Sequence, residues 1–151
     1  EIVKERKDIV FLFIGPDEGK KEEVKEIVKN INHVYVLDPL RDRSQIVEAY
    51  QAADVYVLPS YREGLPLTLF EAMASGIPIV ASPVNGVSYE MKDPDNGYFV
   101  KYGDLGGLKK AILKIADNKE IAKKMGENNR TKSKKYNWDR ISEQIEKLYH
   151  V

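Results

Sequence analysis

The sequence contains no cysteine and only two histidines, His33 and His150, among its 151 residues. The missing cysteine excludes disulfide bonds, thiolate metal sites and cysteine nucleophiles. Two histidines so far apart in sequence cannot build a histidine-rich metal site. The sequence also lacks an excess of either charge, because 24 basic and 24 acidic residues give a net charge of zero. This balance argues against a protein that mainly coats nucleic acid, which needs a basic surface.

Long hydrophobic runs are absent as well. No apolar stretch approaches the ~20 residues of a membrane-spanning helix, and the charged segment from Glu1 to Asp8 does not resemble a signal peptide. We therefore expect a cytoplasmic location. A hydrophobic content of 42% is enough for a core, because a chain of this size buries roughly 68–70% of its unfolded surface. We expect residues 1–151 to form one domain.

Five short apolar segments alternate with helical patterns. The apolar segments predict β-strands at residues 9–14, 34–37, 54–60, 77–82 and 97–100. Helical spacing of apolar residues predicts helices at 18–32, 44–53, 66–75 and 87–91, and from 105 almost to the end with breaks near 117–118 and 136–137. This alternation predicts an α/β fold with a doubly wound, Rossmann-like parallel sheet. The first strand has no polar alternation, so we expect it to be buried on both faces.

Two acidic residues mark the loop after the third predicted strand, and ligands bind at the carboxyl ends of the strands in such sheets. Glu63 lies in this loop, and Glu71 lies in the helix predicted to begin at Pro66. The two carboxylates therefore flank the start of the helix. The backbone N–H groups of Leu67 and Thr68 have no partner within the helix and form a natural anion site.

Gly64 lies between the two acids and has no side chain, so the backbone can approach a ligand closely. An elongated ligand with a central anion and hydroxyl groups at both ends, such as a nucleotide sugar, fits this arrangement. The alternative is that both glutamates are ordinary surface residues, since the helix dipole by itself favours acids in the first turns. The apolar neighbours of Glu71 favour a site, because a carboxylate near the inner face of a helix needs a partner.

Several motifs resemble the donor-binding half of the retaining family 4 glycosyltransferases, which have the GT-B fold. The strongest similarity is in residues 59–82, which contain EGLP at 63–66 and EAMASGIP at 71–78. The turn and acid at 85–90 (NGVSYE) are similar to the family's glycine-rich turn followed by Glu. The strand at 95–100 (DNGYFV) and the YNW at 136–138 also match motifs of this family, in the same order.

The resemblance implies a role for each candidate site residue. Glu63 corresponds to the acid that contacts the donor sugar and supports transfer, and Glu71 corresponds to the acid that holds the ribose. The backbone amides near Gly64, Leu67 and Thr68 would meet the sugar and the diphosphate. The loop that ends at Arg41 would contact the base.

The resemblance also implies the reaction and the missing parts. The donor would be a UDP-, GDP- or ADP-sugar, from which a hexose passes to a glycan, lipid-linked or small-molecule acceptor by front-side displacement with retention. No cofactor and no obligatory metal are expected. Residues 1–151 would be the C-terminal half of a GT-B fold that lacks its first strand–helix unit, with its diphosphate-clamping cations, and the N-terminal acceptor domain. We expect the piece alone to be inactive.

The enzyme half described above is the first of three interpretations. The second is a non-catalytic module that binds sugar nucleotides, because a chain without the diphosphate-clamping cations and the acceptor domain could bind a donor without transferring its sugar. A third interpretation is an unrelated, flavodoxin-like regulatory domain.

The C-terminal part contains two further features. A basic stretch either contacts anionic lipid at the inner membrane surface or forms a solvated helix face, and the interspersed Glu127 favours the second interpretation. The basic residues are Lys123, Lys124, Arg130, Lys132, Lys134 and Lys135. Trp138 is expected to anchor the last helix on the domain.

Overall fold

A computed structural model describes residues 1–149, and His150 and Val151 lie outside the described residues. The strands are β1 (Phe11–Ile14), β2 (Val34–Leu37), β3 (Tyr56–Leu58), β4 (Ile79–Ala81) and β5 (Gly97–Phe99). The helices are α1 (Ile2–Glu5), α2 (Lys21–Val28), α3 (Arg43–Ala52), α4 (Leu67–Ser75), α5 (Asn85–Glu90), α6 (Leu105–Ala116), α7 (Lys119–Ser133) and α8 (Trp138–Tyr149), with a 3₁₀ turn at Lys134–Tyr136. The predicted helix breaks near 117–118 and 136–137 are confirmed.

All five strands are parallel to their neighbours, but they pair in two sheets. β1 pairs with β2, and β3, β4 and β5 form a three-stranded sheet in that order. The predicted α/β fold with parallel strands is confirmed. The sequence predicted one sheet, whereas the observed break falls between β2 and β3. β1 and β2 precede α3 and the other three strands follow it, so the break between the sheets coincides with α3 in the chain.

The chain divides into two compact units, Glu1–Ile46 and Val47–Val151, with the boundary inside α3. In the first unit, β1 is paired along one edge only, and the side chains of Leu12 and Phe13 are 52% and 50% exposed. The expectation that this strand is buried on both faces is therefore wrong for the described residues. A strand with a single neighbour leaves its other edge open to solvent.

The core of the second unit lies where α4 and α5 meet the three-stranded sheet. Its fully buried side chains are Leu69, Met73, Ile79, Val87 and Met91. Burying one such side chain contributes about 1.5–3 kcal/mol. These residues fix α4 against β4 and so place the start of α4 at the carboxyl end of the sheet.

α7 approaches α4 closely because glycines meet at the contact. A Cβ on Gly126 would lie 2.2 Å from the carbonyl oxygen of Gly76, the residue that ends α4 in a left-handed conformation. The fully buried Asn129 follows on α7, and its Nδ2 donates to the carbonyl oxygens of Ile77 (2.6 Å) and Asn96 (2.9 Å). Its Oδ1 accepts from Nδ2 of Asn96 at 2.7 Å. These bonds join α7 to the segments that lead into β4 and β5.

The last helix differs from the expectation. Trp138 is 77% exposed, and none of the described residues of α8 is buried. The prediction that Trp138 anchors the helix is therefore wrong for the described part of the chain. The spacing of Trp138, Ile141, Ile145 and Leu148 still forms an apolar stripe along one face. α8 does not bury this stripe against the described residues.

The glycine contact between α4 and α7 generates a matched pair of substitutions. Gly126→Ala should lower the free energy of unfolding by about 1–3 kcal/mol, because the new methyl group overlaps the Gly76 carbonyl. Gly106→Ala, in α6, should raise it by up to about 1 kcal/mol, because alanine favours a helix and its Cβ would meet only ordinary contact at 3.7 Å. Urea denaturation measures both values. Equal effects of the two substitutions would contradict the proposed close contact.

Candidate functional site

The start of α4 is open to solvent. Leu67 is its first helical residue and Pro66 its N-cap, one position later than predicted, because the ψ angle of Pro66 (122°) is extended. No side chain caps the N–H groups at this end. Leu67 is 75% exposed, and Gly64 and Thr68 are exposed as well. The N–H groups of Leu67 and Thr68, at the positive end of the helix dipole, are therefore accessible to an anion, whereas the N–H of Leu69 donates to the Pro66 carbonyl at 3.1 Å.

Glu63 is partly buried in the loop before α4, and three contacts hold it and its neighbour. Its Oε1 accepts a hydrogen bond from Oγ of Ser60 at 2.7 Å. Its backbone carbonyl accepts one from Nδ2 of Asn85 at 2.9 Å. The carbonyl of Gly64 accepts a third bond from the N–H of Gly86, also at 2.9 Å. The loop is thus fixed by its own Ser60 and by the start of α5.

Glu71 lies on the exposed side of α4, about 6 Å along the axis from Leu67. Its Oε2 accepts a hydrogen bond from the hydroxyl of Tyr50 at 2.9 Å. Glu71 thus does not lie near the inner face that its apolar neighbours indicated, but the Tyr50 hydroxyl still binds its carboxylate. Burial raises the pKa of Tyr50, and the bond to Glu71 raises it further. The phenol consequently stays protonated and donates to Glu71 at neutral pH.

Tyr56 lies close to both acids. Burial raises its pKa, and the negative charges of Glu63 and Glu71 act in the same direction, whereas a hydrogen bond with Thr68 lowers it. The rings of Tyr56 and Tyr50 contact each other with centroids 5.8 Å apart. Two hydroxyl groups thus accompany the two carboxylates at the start of α4.

The predicted site residues divide between the two units. The structure brings Glu63 and Glu71 together at the start of α4, along with the backbone of Gly64, Leu67 and Thr68. Arg41 is an exposed residue of the Glu1–Ile46 unit, just before α3. Its contact with the base stays a prediction, as do the roles of the other five residues.

Sequence reasoning missed the residues that hold the two acids. Tyr50 and Tyr56 fall within an apolar helical pattern and an apolar strand pattern, and such patterns do not indicate which hydroxyl groups will bind an acid. Nothing in the local sequence pointed to Ser60 or Asn85 as partners of Glu63.

The last residue of α5, the helix whose start contacts the Glu63 loop, is also fixed. At this end of α5, Glu90 Oε2 accepts a hydrogen bond from the Tyr136 hydroxyl and forms an ion pair with Lys132 Nζ at 3.1 Å. We call these two contacts the Glu90 anchor. Burial acts to raise the pKa of Glu90, but the bonds from Tyr136 and Lys132 outweigh it and lower that pKa. Burial, together with the same bond, raises the pKa of Tyr136 to about 12. The Phe70 ring packs on Tyr136, with centroids 4.6 Å apart.

Within residues 1–149, no group of three or more His, Asp or Glu side chains is arranged to hold a metal ion. No helix of the described part of the chain is long and apolar enough to span a membrane.

In the loop that carries Glu63, Tyr61 contacts Tyr102 with ring centroids 5.2 Å apart. A cavity of about 290 Å³ beside Tyr102 is lined by residues that include Pro59 and Leu105.

Comparison with known proteins identifies the family. The family model described as "Glycosyl transferases group 1" matches residues 1–132, so the chain belongs to this family. An uncharacterized glycosyltransferase of Methanocaldococcus jannaschii is 30% identical over 146 residues, which are 95% of this chain and 41% of that protein. This membership removes the support for an unrelated flavodoxin-like domain.

Solved structures agree with the fold. A sucrose-phosphate synthase of Thermosynechococcus elongatus is 28% identical, with a TM-score of 0.82 over 92% of this chain and 37% of that chain. HepE of Anabaena, solved in complex with UDP, is 23% identical, with a TM-score of 0.80 over 95% of this chain and 41% of that chain. The fold is that of the C-terminal domains of GT-B glycosyltransferases. The chain spans less than half the length of these relatives.

The Glu90 anchor should make stability depend on pH. Tyr136→Phe should lower the free energy of unfolding by about 1 kcal/mol at pH 7, because it removes a bond to an ionised carboxylate. The pKa of Glu90 in the folded protein lies below the ordinary glutamate value of 4.5. The stabilisation is therefore present above 4.5 and lost as the pH falls through the lowered value.

Urea denaturation of wild type and variant across this pH range checks the expectation. Tyr89→Phe, which removes the hydroxyl of an exposed tyrosine on the same helix, is the matched control and should have almost no effect. A cost for Tyr136→Phe that stays constant from pH 7 into the acid range would contradict the anchor.

Proposed function

We propose that the chain is the donor-binding part of a retaining glycosyltransferase. The intact enzyme transfers a hexose from a nucleoside-diphosphate sugar to a glycan, lipid-linked or small-molecule acceptor. The observation that carries this proposal is the accessible start of α4 with Glu63 and Glu71 beside it, in a chain of the group 1 family. Helix N–H groups favour a diphosphate, and carboxylates accept hydrogen bonds from sugar hydroxyls.

The proposed division of labour follows the positions of the two acids. Glu71, held by Tyr50, accepts hydrogen bonds from the ribose hydroxyls. Glu63, held by Ser60, contacts the donor sugar and supports the developing charge at its anomeric carbon during front-side displacement. Arg41 contributes to the base-contacting loop.

The diphosphate leaving group needs positive charge rather than an obligatory metal in this proposal. The N–H groups of Leu67 and Thr68, together with the backbone at Gly64, stabilise the negative charge that develops on the leaving group. The remaining positive charge comes from cations outside residues 1–151. The UDP bound to HepE supports a nucleoside diphosphate as the ligand of this fold, with UDP-, GDP- and ADP-sugars as candidate donors.

The rest of the enzyme is part of the proposal. We infer that the intact protein adds a strand–helix unit that pairs with the open edge of β1, and an N-terminal acceptor domain. The supporting observations are the half-exposed apolar side chains of β1 and relatives more than twice as long as this chain. We propose a cytoplasmic location for the intact enzyme, with the basic residues of α7 forming a solvated helix face.

The function is tested by titrating the intact protein with a panel of UDP-, GDP- and ADP-sugars. Wild type should bind one nucleotide class, and Glu71→Ala should weaken that binding at least about tenfold, because hydrogen bonds to a charged group contribute about 1.5–3 kcal/mol. Glu63→Ala should abolish transfer while leaving nucleotide affinity nearly unchanged. Glu127→Ala, at an exposed position on α7, is the control.

Each outcome of this titration is informative. Unchanged turnover in the Glu63 variant refutes the proposed role of this residue. Binding without transfer in the intact wild-type protein favours the non-catalytic module instead. Absence of binding to any nucleotide sugar refutes the function altogether.

The missing strand–helix unit generates a separate prediction. In residues 1–151 the amide of Phe11 donates to the His33 carbonyl at 2.8 Å, and by alternation the amides of Leu12 and Ile14 point to the open edge of β1. Hydrogen exchange should be slow at Phe11 in both forms, but slow at Leu12 and Ile14 only in the intact protein. The isolated residues should transfer no sugar. Measurable transfer by them, or equal exchange at Leu12 in both forms, would contradict the inferred unit.

A further inference from the structure

The loop that carries Glu63 depends on α5 for its position. Among the described residues, the backbone hydrogen bond that this loop makes outside α4 is the one from Gly86 N–H to Gly64 O. A Cβ on Gly86 would lie 2.2 Å from that oxygen, so the two backbones approach so closely that only glycine fits at position 86. The position of Glu63 therefore follows that of the first turn of α5.

Asn85 adds a contact that the backbone alone does not provide. Its φ of 31° lies in the left-handed region, where glycine is the usual residue and asparagine is tolerated. This is the position at which the resembling family has a glycine-rich turn. A glycine would satisfy the conformation, but the amide of Asn85 also donates to the carbonyl oxygen of Glu63 at 2.9 Å. That bond spans 22 residues of sequence and ends on the candidate catalytic residue itself.

The helix that carries Asn85 is fixed in its middle and at its last residue. Val87, in the middle of α5, is completely buried. Glu90, its last residue, is bound by Tyr136 and Lys132. Because α5 is fixed, the side-chain amide of Asn85 has a defined position relative to the Glu63 loop.

We propose that Asn85 is a positioning residue for Glu63: its side-chain amide fixes the Glu63 carbonyl, and with it the direction in which the Glu63 carboxylate faces the donor sugar. This inference rests on the proposed function. Because small displacements of a catalytic group have large effects on turnover, the bond acts on the chemical step. It does not act on nucleotide binding, which involves Glu71 and the start of α4.

The test uses Asn85→Gly and Asn85→Asp in the intact protein. Asn85→Gly keeps the left-handed backbone and deletes the amide, so kcat should fall by about fivefold or more while the KM for the donor and the melting temperature stay nearly unchanged. Asn85→Asp keeps the shape of the side chain but replaces the donor by an acceptor, so its kcat should fall further. The control is Asn128→Ala, which removes a bond of the same kind from Asn128 Nδ2 to the Asp95 carbonyl at 2.9 Å.

The outcomes separate this inference from the proposed function. A kcat of Asn85→Gly within twofold of wild type, or a loss that appears only in KM, overturns the positioning role. An equal loss in Asn128→Ala also overturns it, because the effect would then be general. If the intact wild-type protein binds no nucleotide sugar, the proposed function fails. If Glu63→Ala keeps wild-type turnover, the proposed role of Glu63 fails, and the positioning role of Asn85 fails with it. If Glu63→Ala is inactive and Asn85→Gly is fully active, only the positioning role fails.

Discussion

Two stretches of backbone touch at Gly64 and Gly86, and the geometry of the site depends on this contact. β3 and β4 are parallel neighbours, so the loops that follow them leave the sheet side by side. The N–H of Gly86 then donates to the Gly64 carbonyl at 2.9 Å, and a Cβ on Gly86 would collide with that carbonyl oxygen. The consequence is that one acid, Glu63, is presented by a loop whose position is set by the next strand and helix.

The second acid is placed by different means. Glu71 belongs to the helix itself, and α4 is fixed by fully buried residues such as Leu69 and Met73. Tyr50, on α3, donates a hydrogen bond to Glu71. Tyr56 lies close enough for the charges of both carboxylates to raise its pKa. Two negative charges near one open helix end are tolerated because solvent, hydroxyl donors and the helix dipole all act on them. The same features suit a ligand that carries both hydroxyl groups and an anion.

Periodicity predicted the fold class well because it reflects local burial. The alternation of apolar runs and helical patterns located all five strands and placed the breaks at 117–118 and 136–137. Four of the five predicted strands were longer than the observed ones, since apolar residues such as Val55 and Ile77 flank a ladder without joining it. Trp138 and β1 were predicted to be buried because apolar side chains usually are, and periodicity cannot show which part of a protein covers them.

The site was predictable in part for similar reasons. Glu63 and Glu71 belong to motifs that are continuous in sequence, and a helix start is an anion site wherever it occurs. Their supports come from elsewhere in the chain: Tyr50 from α3, and Asn85 from α5. The Asn85 contact follows from the pairing of β3 with β4, and the Tyr50 contact joins α3 to α4 across 21 residues of sequence; no local pattern contains either.

The buried amide of Asn129 restricts what can replace it during evolution. Its Nδ2 donates to two carbonyl oxygens, of Ile77 and Asn96, while its Oδ1 accepts from the amide of Asn96. Aspartate supplies no N–H for the carbonyls, leucine supplies neither function, and glutamine is one methylene longer in a position with no exposed surface. Each of these replacements leaves buried polar atoms unsatisfied or displaces α7. This position therefore tolerates little variation although it is far from the acids in sequence.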